Sequence, residues 1–245
     1  MVFDRYPVTP PAADTFATKA LRNNARGWNL DKEALERFKI REICEGWGSH
    51  REAAEWENYR SMFFDDAYIA TSWKQGNIDK FILASKEGFA ESSSFMYIIH
   101  RICGTSVEVN PELSRAVCKM VTITCRFTFD DVEMDNESDS RFFFLLEKRW
   151  GRWGVCFLTL LFDKDKFILV NPARIFHIPE EEVDKFPSGY RYLAWAEVKI
   201  GHPPKLNLNS HGPERDILYG KCKDWLDGKR VVPGLTGLDM PKSKL

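Results

Sequence analysis

The sequence has no apolar run near the roughly 20 residues that a membrane-spanning helix needs, and no basic stretch followed by an apolar one at its start. Neither a spanning segment nor a secretory leader is expected. Charge of one sign is also missing: 35 Lys and Arg stand against 36 Asp and Glu, for a net charge of −1. A surface for nucleic acid or anionic lipid needs a basic bias, so neither partner is expected. The six cysteines (44, 103, 118, 125, 156 and 222) form no Cys-x-x-Cys pair and have mostly apolar neighbours. That scatter fits buried thiols in a reducing compartment, hence a cytoplasmic protein.

Several chemical signatures are absent as well. The five histidines show no His-Glu-x-x-His or other metal spacing, and there is no glycine-rich phosphate loop. No Gly-x-Ser-x-Gly elbow is present, and no cysteine sits in an activating setting. No metal, no cofactor and no covalent intermediate are therefore expected. The acidic run DDVEMDNESDS (130–140) offers carboxylates at Asp131, Glu133, Asp135 and Glu137 but lacks the sharp-turn glycine of a calcium loop. A solvated hairpin loop is the expectation there.

What the chain does have is apolar and aromatic mass. Apolar residues make up 44% of the 245, with 18 Phe and 8 Trp, enough for a sizeable core in one domain with extensions. Residues 1–30 read as an arm, 31–172 as the domain and 173–245 as a C-terminal extension. From Asp31, a candidate N-cap, Leu35, Phe38, Ile43 and Trp47 fall near one helical face, with Gly46 and Gly48 as expected stops. A second helix is expected over 53–64, ending on Asp65-Asp66 as cap and turn before a strand to about Trp73. A third helix follows, with Asn77 or Asp79 near its start and Ile78, Phe81, Ile82 and Phe89 on one face. After Ser94 come long β-rich runs, split by turns such as Trp150-Gly151. Short helices are expected near 188–200 and 214–227. Helices first and antiparallel strands after give an α+β class.

The frame Glu52-Ala-Ala-Glu55-Trp56 … Phe63-Phe64-Asp65-Asp66-Ala67 resembles the SnoaL-like, scytalone dehydratase-like branch of the nuclear transport factor 2-like superfamily. IIHRICG (98–104), LLEKRWGRWGV (145–155) and FDKDKFILVNP (162–172) extend the resemblance in order over about 31–172. It implies a cone-shaped barrel, with a strongly curved antiparallel sheet and three N-terminal helices enclosing an apolar cavity. It further implies cofactor-independent lyase, isomerase or cyclase chemistry, as in dehydratases, on a small apolar metabolite of fungal secondary metabolism (a polyketide, terpenoid or alkaloid intermediate). Pairing through open sheet faces is common in the family. FFFLL and CFLTLLF lack polar alternation, as strands buried on both faces do, so a homodimer is expected, with a trimer as the alternative.

On that resemblance, His100 takes the place of the catalytic histidine and Glu52 that of its partner aspartate, one methylene longer. Histidine suits the task because its ordinary pKa lies near neutrality. His50 is the alternative partner. Tyr68, Tyr97, Arg51, Trp47 and Trp73 are candidate substrate contacts. The match has gaps. Lys119 or Met120 falls where a second histidine is expected, Phe142 where an asparagine is, and Arg51 where a tyrosine is, so scytalone itself is not the expected substrate. A histidine on an apolar face also fits a satisfied core residue, and the same fold hosts non-catalytic ligand-binding or protein-interaction modules.

Overall fold

A computed structural model describes the chain over residues 30–91 and 96–231. The expected arm lies almost wholly outside the described residues, as does the end of the extension. In chain order the elements are α1 (Leu30–Glu52), α2 (Trp56–Ser61), β1 (Phe63–Ala70), β2 (Gln75–Asn77), α3 (Ile78–Glu91), β3 (Met96–Ile99), β4 (Gly104–Val109), β5 (Arg115–Phe129), β6 (Val132–Arg149), β7 (Arg152–Leu169), α4 (Glu180–Val183), α5 (Arg191–Lys199) and α6 (Pro213–Leu226). This is a mixed α+β fold. Its sheet runs β2-β1-β7-β6-β5-β3, with β4 also on β5, and every pairing is antiparallel except β1 with β7. Register shifts at Thr122/Thr124, Asp139/Ser140 and Leu145/Leu146 interrupt the long ladders, and such bulges bend strands into a curved sheet.

Turn chemistry sets the hairpins. Trp150 (φ 51°) and Gly151 (φ 80°) form the two-residue turn between β6 and β7, and Asp130 (φ 50°) and Asp131 (φ 58°) do the same between β5 and β6. The acidic run is therefore mostly strand, which corrects the loop expectation. Val132, Met134, Asn136, Ser138 and Ser140 face inward. Glu137 and Asp139 face outward and pair with Lys166 and Lys164. Among the described residues no group of three metal-ligating side chains occurs.

Helix α1 departs from expectation twice. It continues through Gly46 and Gly48 to Glu52, and Leu35 and Phe38 are exposed. Its inward stripe is Glu36, Arg37, Ile40, Cys44 and Trp47. Two charged residues are buried there because the sheet satisfies them. Arg37 donates to the Val107 carbonyl, and Glu36 accepts from Lys148 (2.7 Å) and from the Trp153 indole. Helix α2 is shorter than expected, and Asp65-Asp66 is no junction. Both aspartates lie within β1 and are exposed, paired with Arg60 (2.6 Å) and Arg149 (2.8 Å). The reversal before α2 falls instead at Ala54, in the left-handed region at φ 57°. Helix α3 does follow the sequence reading. The Asn77 side chain accepts the Asp79 amide at 2.8 Å, an N-cap, and Ile78, Phe81 and Ile82 are buried.

The sheet is apolar on both faces. Phe142, Phe144 and Leu146 of β6 join the inner core beneath α1, α3 and α5. Phe143 and Leu145 point to the outer face, where Leu218, Tyr219, Cys222 and Trp225 of α6 cover them. The double burial expected from sequence is thus accounted for within one chain: the face assigned to a second copy is occupied by α6. No helix among the described residues is long and apolar enough to cross a membrane.

Candidate active site

Between the inner face of the sheet and helices α1, α3 and α5 lies a cavity with about 100 Å³ of room for the centres of water-sized molecules. A single water needs only about 10–15 Å³ on that measure, so the space holds a compact organic ring. Trp47, Trp73, Phe81, Phe127, Phe142 and Phe162 bring aromatic rings to the wall. Against this lining stand a few polar groups, chiefly His100, Arg51, Ser72 and Glu197.

His100 sits one residue past the end of β3 rather than on the strand, with its side chain only 7% exposed. Glu52, the last residue of α1, reaches it despite the longer side chain: Oε1 lies 2.7 Å from Nδ1 and also accepts the His100 main-chain amide. A carboxylate accepting from both fixes loop and ring together and keeps the proton on Nδ1, so the lone pair is on Nε2. The Trp47 indole N–H approaches Nε2 at 3.4 Å, and the Trp47 and Phe142 rings meet the imidazole edge-to-face. Burial pushes the ring below its ordinary 6.5; Glu52 pulls it up and the Arg51 charge adds to the lowering, with a net downward shift. The imidazole is therefore neutral and basic at neutral pH.

Gly48 permits this arrangement. A Cβ there would stand 3.2 Å from His100 Cβ and 3.5 Å from Glu52 Oε1, so the helix passes close to the loop only because the position has no side chain. Gly46 plays a like part beneath the His50 ring.

The remaining candidates divide. Trp47, Trp73 and Arg51 line the cavity, the Arg51 guanidinium lying 5.2 Å from the Phe89 ring centre and 5.9 Å from that of Phe81. His50 does not join His100. Two positions before Glu52 on a helix it projects from a different side, and it pairs with Glu55 at 2.8 Å. Tyr68 is not among the lining residues either: Ala67 and Ile69 take the inner face of β1, and strand alternation turns Tyr68 away. The Tyr97 side chain lies outside the described residues. Lys119 pairs with Glu108 at 2.7 Å, and Phe142 packs against His100.

One lining group escaped the sequence reading. Glu197 of α5 is buried, its Oε1 accepting from the Ser72 hydroxyl. Its other oxygen, Oε2, is buried with no hydrogen-bond partner among the described residues. Burial raises the carboxyl from the ordinary 4.5 to about 8, against the pull of the Ser72 hydrogen bond. The signal was a glutamate at helical spacing between Leu193 and Ile200, both of which line the cavity.

Residues 32–159 match the SnoaL-like domain family. Pea pathogenicity protein 2 of Fusarium vanettenii is 40% identical over 228 residues, covering 86% of this chain and 93% of that protein. A PEP2-like protein of the same fungus is also 40% identical, over 224 residues, with the same coverage. Among solved structures, a hexachlorocyclohexane dehydrochlorinase (LinA type 2) superposes with a TM-score of 0.45 at 14% identity, over 62% of this chain and 99% of that one.

Proposed function

The chain belongs to the SnoaL-like domain family, and from that premise we propose that it is a cofactor-independent acid–base enzyme, a lyase, isomerase or cyclase acting on a small, largely apolar metabolite of natural-product biosynthesis. The observation that carries the reading is the Glu52–His100 pair, 2.7 Å apart at the wall of an aromatic cavity. In this reading Nε2 takes a proton from a substrate carbon while Glu52 stabilises the imidazolium that forms. The cone-like enclosure keeps water away from the reactive intermediate, and Trp47, Trp73 and Arg51 contact the substrate.

A second reading rests on the Trp47 indole. With Trp47 N–H on Nε2 and Glu52 on Nδ1, both ring nitrogens are engaged, as they are in a structural histidine of a ligand-binding module. At 3.4 Å the indole contact is long, and a substrate proton can displace it more easily than it can displace Glu52. The test is a metabolite profile of the producing organism carrying the native chain or His100→Ala, with both versions shown to accumulate folded. The expected result is one accumulated intermediate and one lost product, differing by the mass of a water for elimination or by nothing for isomerisation. Matching profiles would hand the site to the binding module.

A further inference from the structure

The carboxyl of Glu197 has no place in the His100–Glu52 pair. It comes from the C-terminal extension, beyond the matched family residues 32–159, and reaches the cavity with Leu193 and Ile200 of the same helix. One of its oxygens is tied to Ser72 and the other, Oε2, is buried without a hydrogen-bond partner among the described residues. A buried carboxyl oxygen left unpaired is destabilising unless something in the cavity satisfies it. No polar side chain of the described residues does that, so the missing partner is a polar atom of whatever the cavity takes up.

We propose that Glu197 donates a hydrogen bond from Oε2 to the carbonyl oxygen of a neutral ring compound bound in the same cavity as His100. A ketone is the class that uses both groups. The ring fits the aromatic walls, the oxygen answers Oε2, and the carbon beside the carbonyl carries the proton that a base can remove. This rests on the acid–base reading above and deepens it.

The atoms balance without a further reactant. His100 Nε2 takes the proton from the carbon next to the carbonyl, and the C–H electron pair becomes the C=C bond of an enol. The carbonyl oxygen takes the Glu197 proton as its π pair moves onto it. In the return step the enol proton goes back to Glu197 as the carbonyl reforms. The released pair either shifts through a neighbouring C=C of the ring and collects the His100 proton at the γ-carbon, giving an isomer, or expels a β-hydroxyl that leaves as water with that proton. Burial favours the protonated carboxyl this donation needs at neutral pH.

The experiment uses 1-tetralone as probe ketone and its hydrocarbon counterpart tetralin, with binding to the full chain followed by calorimetry between pH 6 and 9.5. For the native chain, tetralone affinity is expected to be flat at low pH and to fall above about 8, approaching tenfold per pH unit, whereas tetralin shows no step. Glu197→Gln keeps an N–H donor that does not titrate, so it should bind tetralone without the step. Glu197→Ala should bind it on the order of tenfold more weakly at all pH values below 8. An infrared carbonyl band of a protonated carboxyl, present at pH 7 and lost in Glu197→Gln, supplies a readout independent of binding. No saturable tetralone binding, the same step in Glu197→Gln, or no such band overturns the proposal. These readouts are binding and protonation rather than turnover, so they can fail while His100→Ala still abolishes the reaction, and the reverse holds equally.

Discussion

A methyl group added at Gly48 would press on His100 Cβ at 3.2 Å, closer than most such contacts, and on Glu52 Oε1 at 3.5 Å. Alanine suits a helix interior better than glycine by about 0.5–1 kcal/mol, which offsets much of the squeeze. Gly48→Ala should therefore leave the melting temperature within a few degrees of native. The His100 loop would still have to move by a few tenths of an ångström relative to Glu52, and under the proposed acid–base reading displacement of the base lowers turnover on the order of tenfold. Parallel melting curves and turnover measurements check this; full activity would show that the pair tolerates the shift. At this scale the sequence was only partly legible. His100 and Glu52 could be singled out because a motif places them, but nothing local says that Glu52 spans the gap or that His50 turns to Glu55. The glycines read as helix stops because their real constraint, a neighbour more than 50 positions away in the case of Gly48 and His100, leaves no mark in the surrounding pattern.

Helices and strands were legible to the degree that apolar periodicity alone positions them. Helix α3 and the long strands meet that condition, and so do the short helices of the extension. Helix α1 does not, because its register is set by charge. Glu36 is buried yet accepts from Lys148, Trp153 and Lys39, tying the helix to the β6–β7 hairpin. Burial pushes its carboxyl up, but those three donors outweigh it and bring it down to about 2. A periodicity reading takes Leu35 and Phe38 as the inner face and is off by one position on the helical wheel. Glu36→Gln should cost about 1.5–3 kcal/mol at pH 7, measured by denaturant unfolding, because charge-assisted hydrogen bonds become neutral ones. The native advantage is present above the ordinary carboxylate value of 4.5 and is lost as pH falls through about 2. The gap between native and variant midpoints should therefore narrow toward pH 3. Equal midpoints at pH 7 would remove Glu36 from any role in setting the register.

For the whole molecule, the extension does two jobs on opposite faces of one sheet. Helix α5 lends Leu193, Glu197 and Ile200 to the cavity, and its N-terminus is tied to the sheet by Asp165, which accepts the Leu193 amide at 2.7 Å. Helix α6 covers the other face: Trp225 packs against Phe157, donates to the Leu146 carbonyl at 3.1 Å and lies beneath the Arg115 guanidinium. Two-sided burial was legible in FFFLL, but its cause was not, since a second copy and a later helix of the same chain leave the same apolar pattern in a strand. Ending the chain at residue 212 separates the two jobs. It keeps α5 and the cavity, but uncovers Phe64, Val117, Phe143, Leu145 and Leu161 as one contiguous apolar face. Such a face seeks another partner, and the nearest available is the same face of a second copy. Sedimentation should show more self-association in the shortened chain than in the full chain at the same concentration, together with a lower unfolding midpoint. A shortened chain that stays monodisperse with an unchanged midpoint would mean that α6 contributes little to the fold, and that the double burial in β6 and β7 needs another explanation.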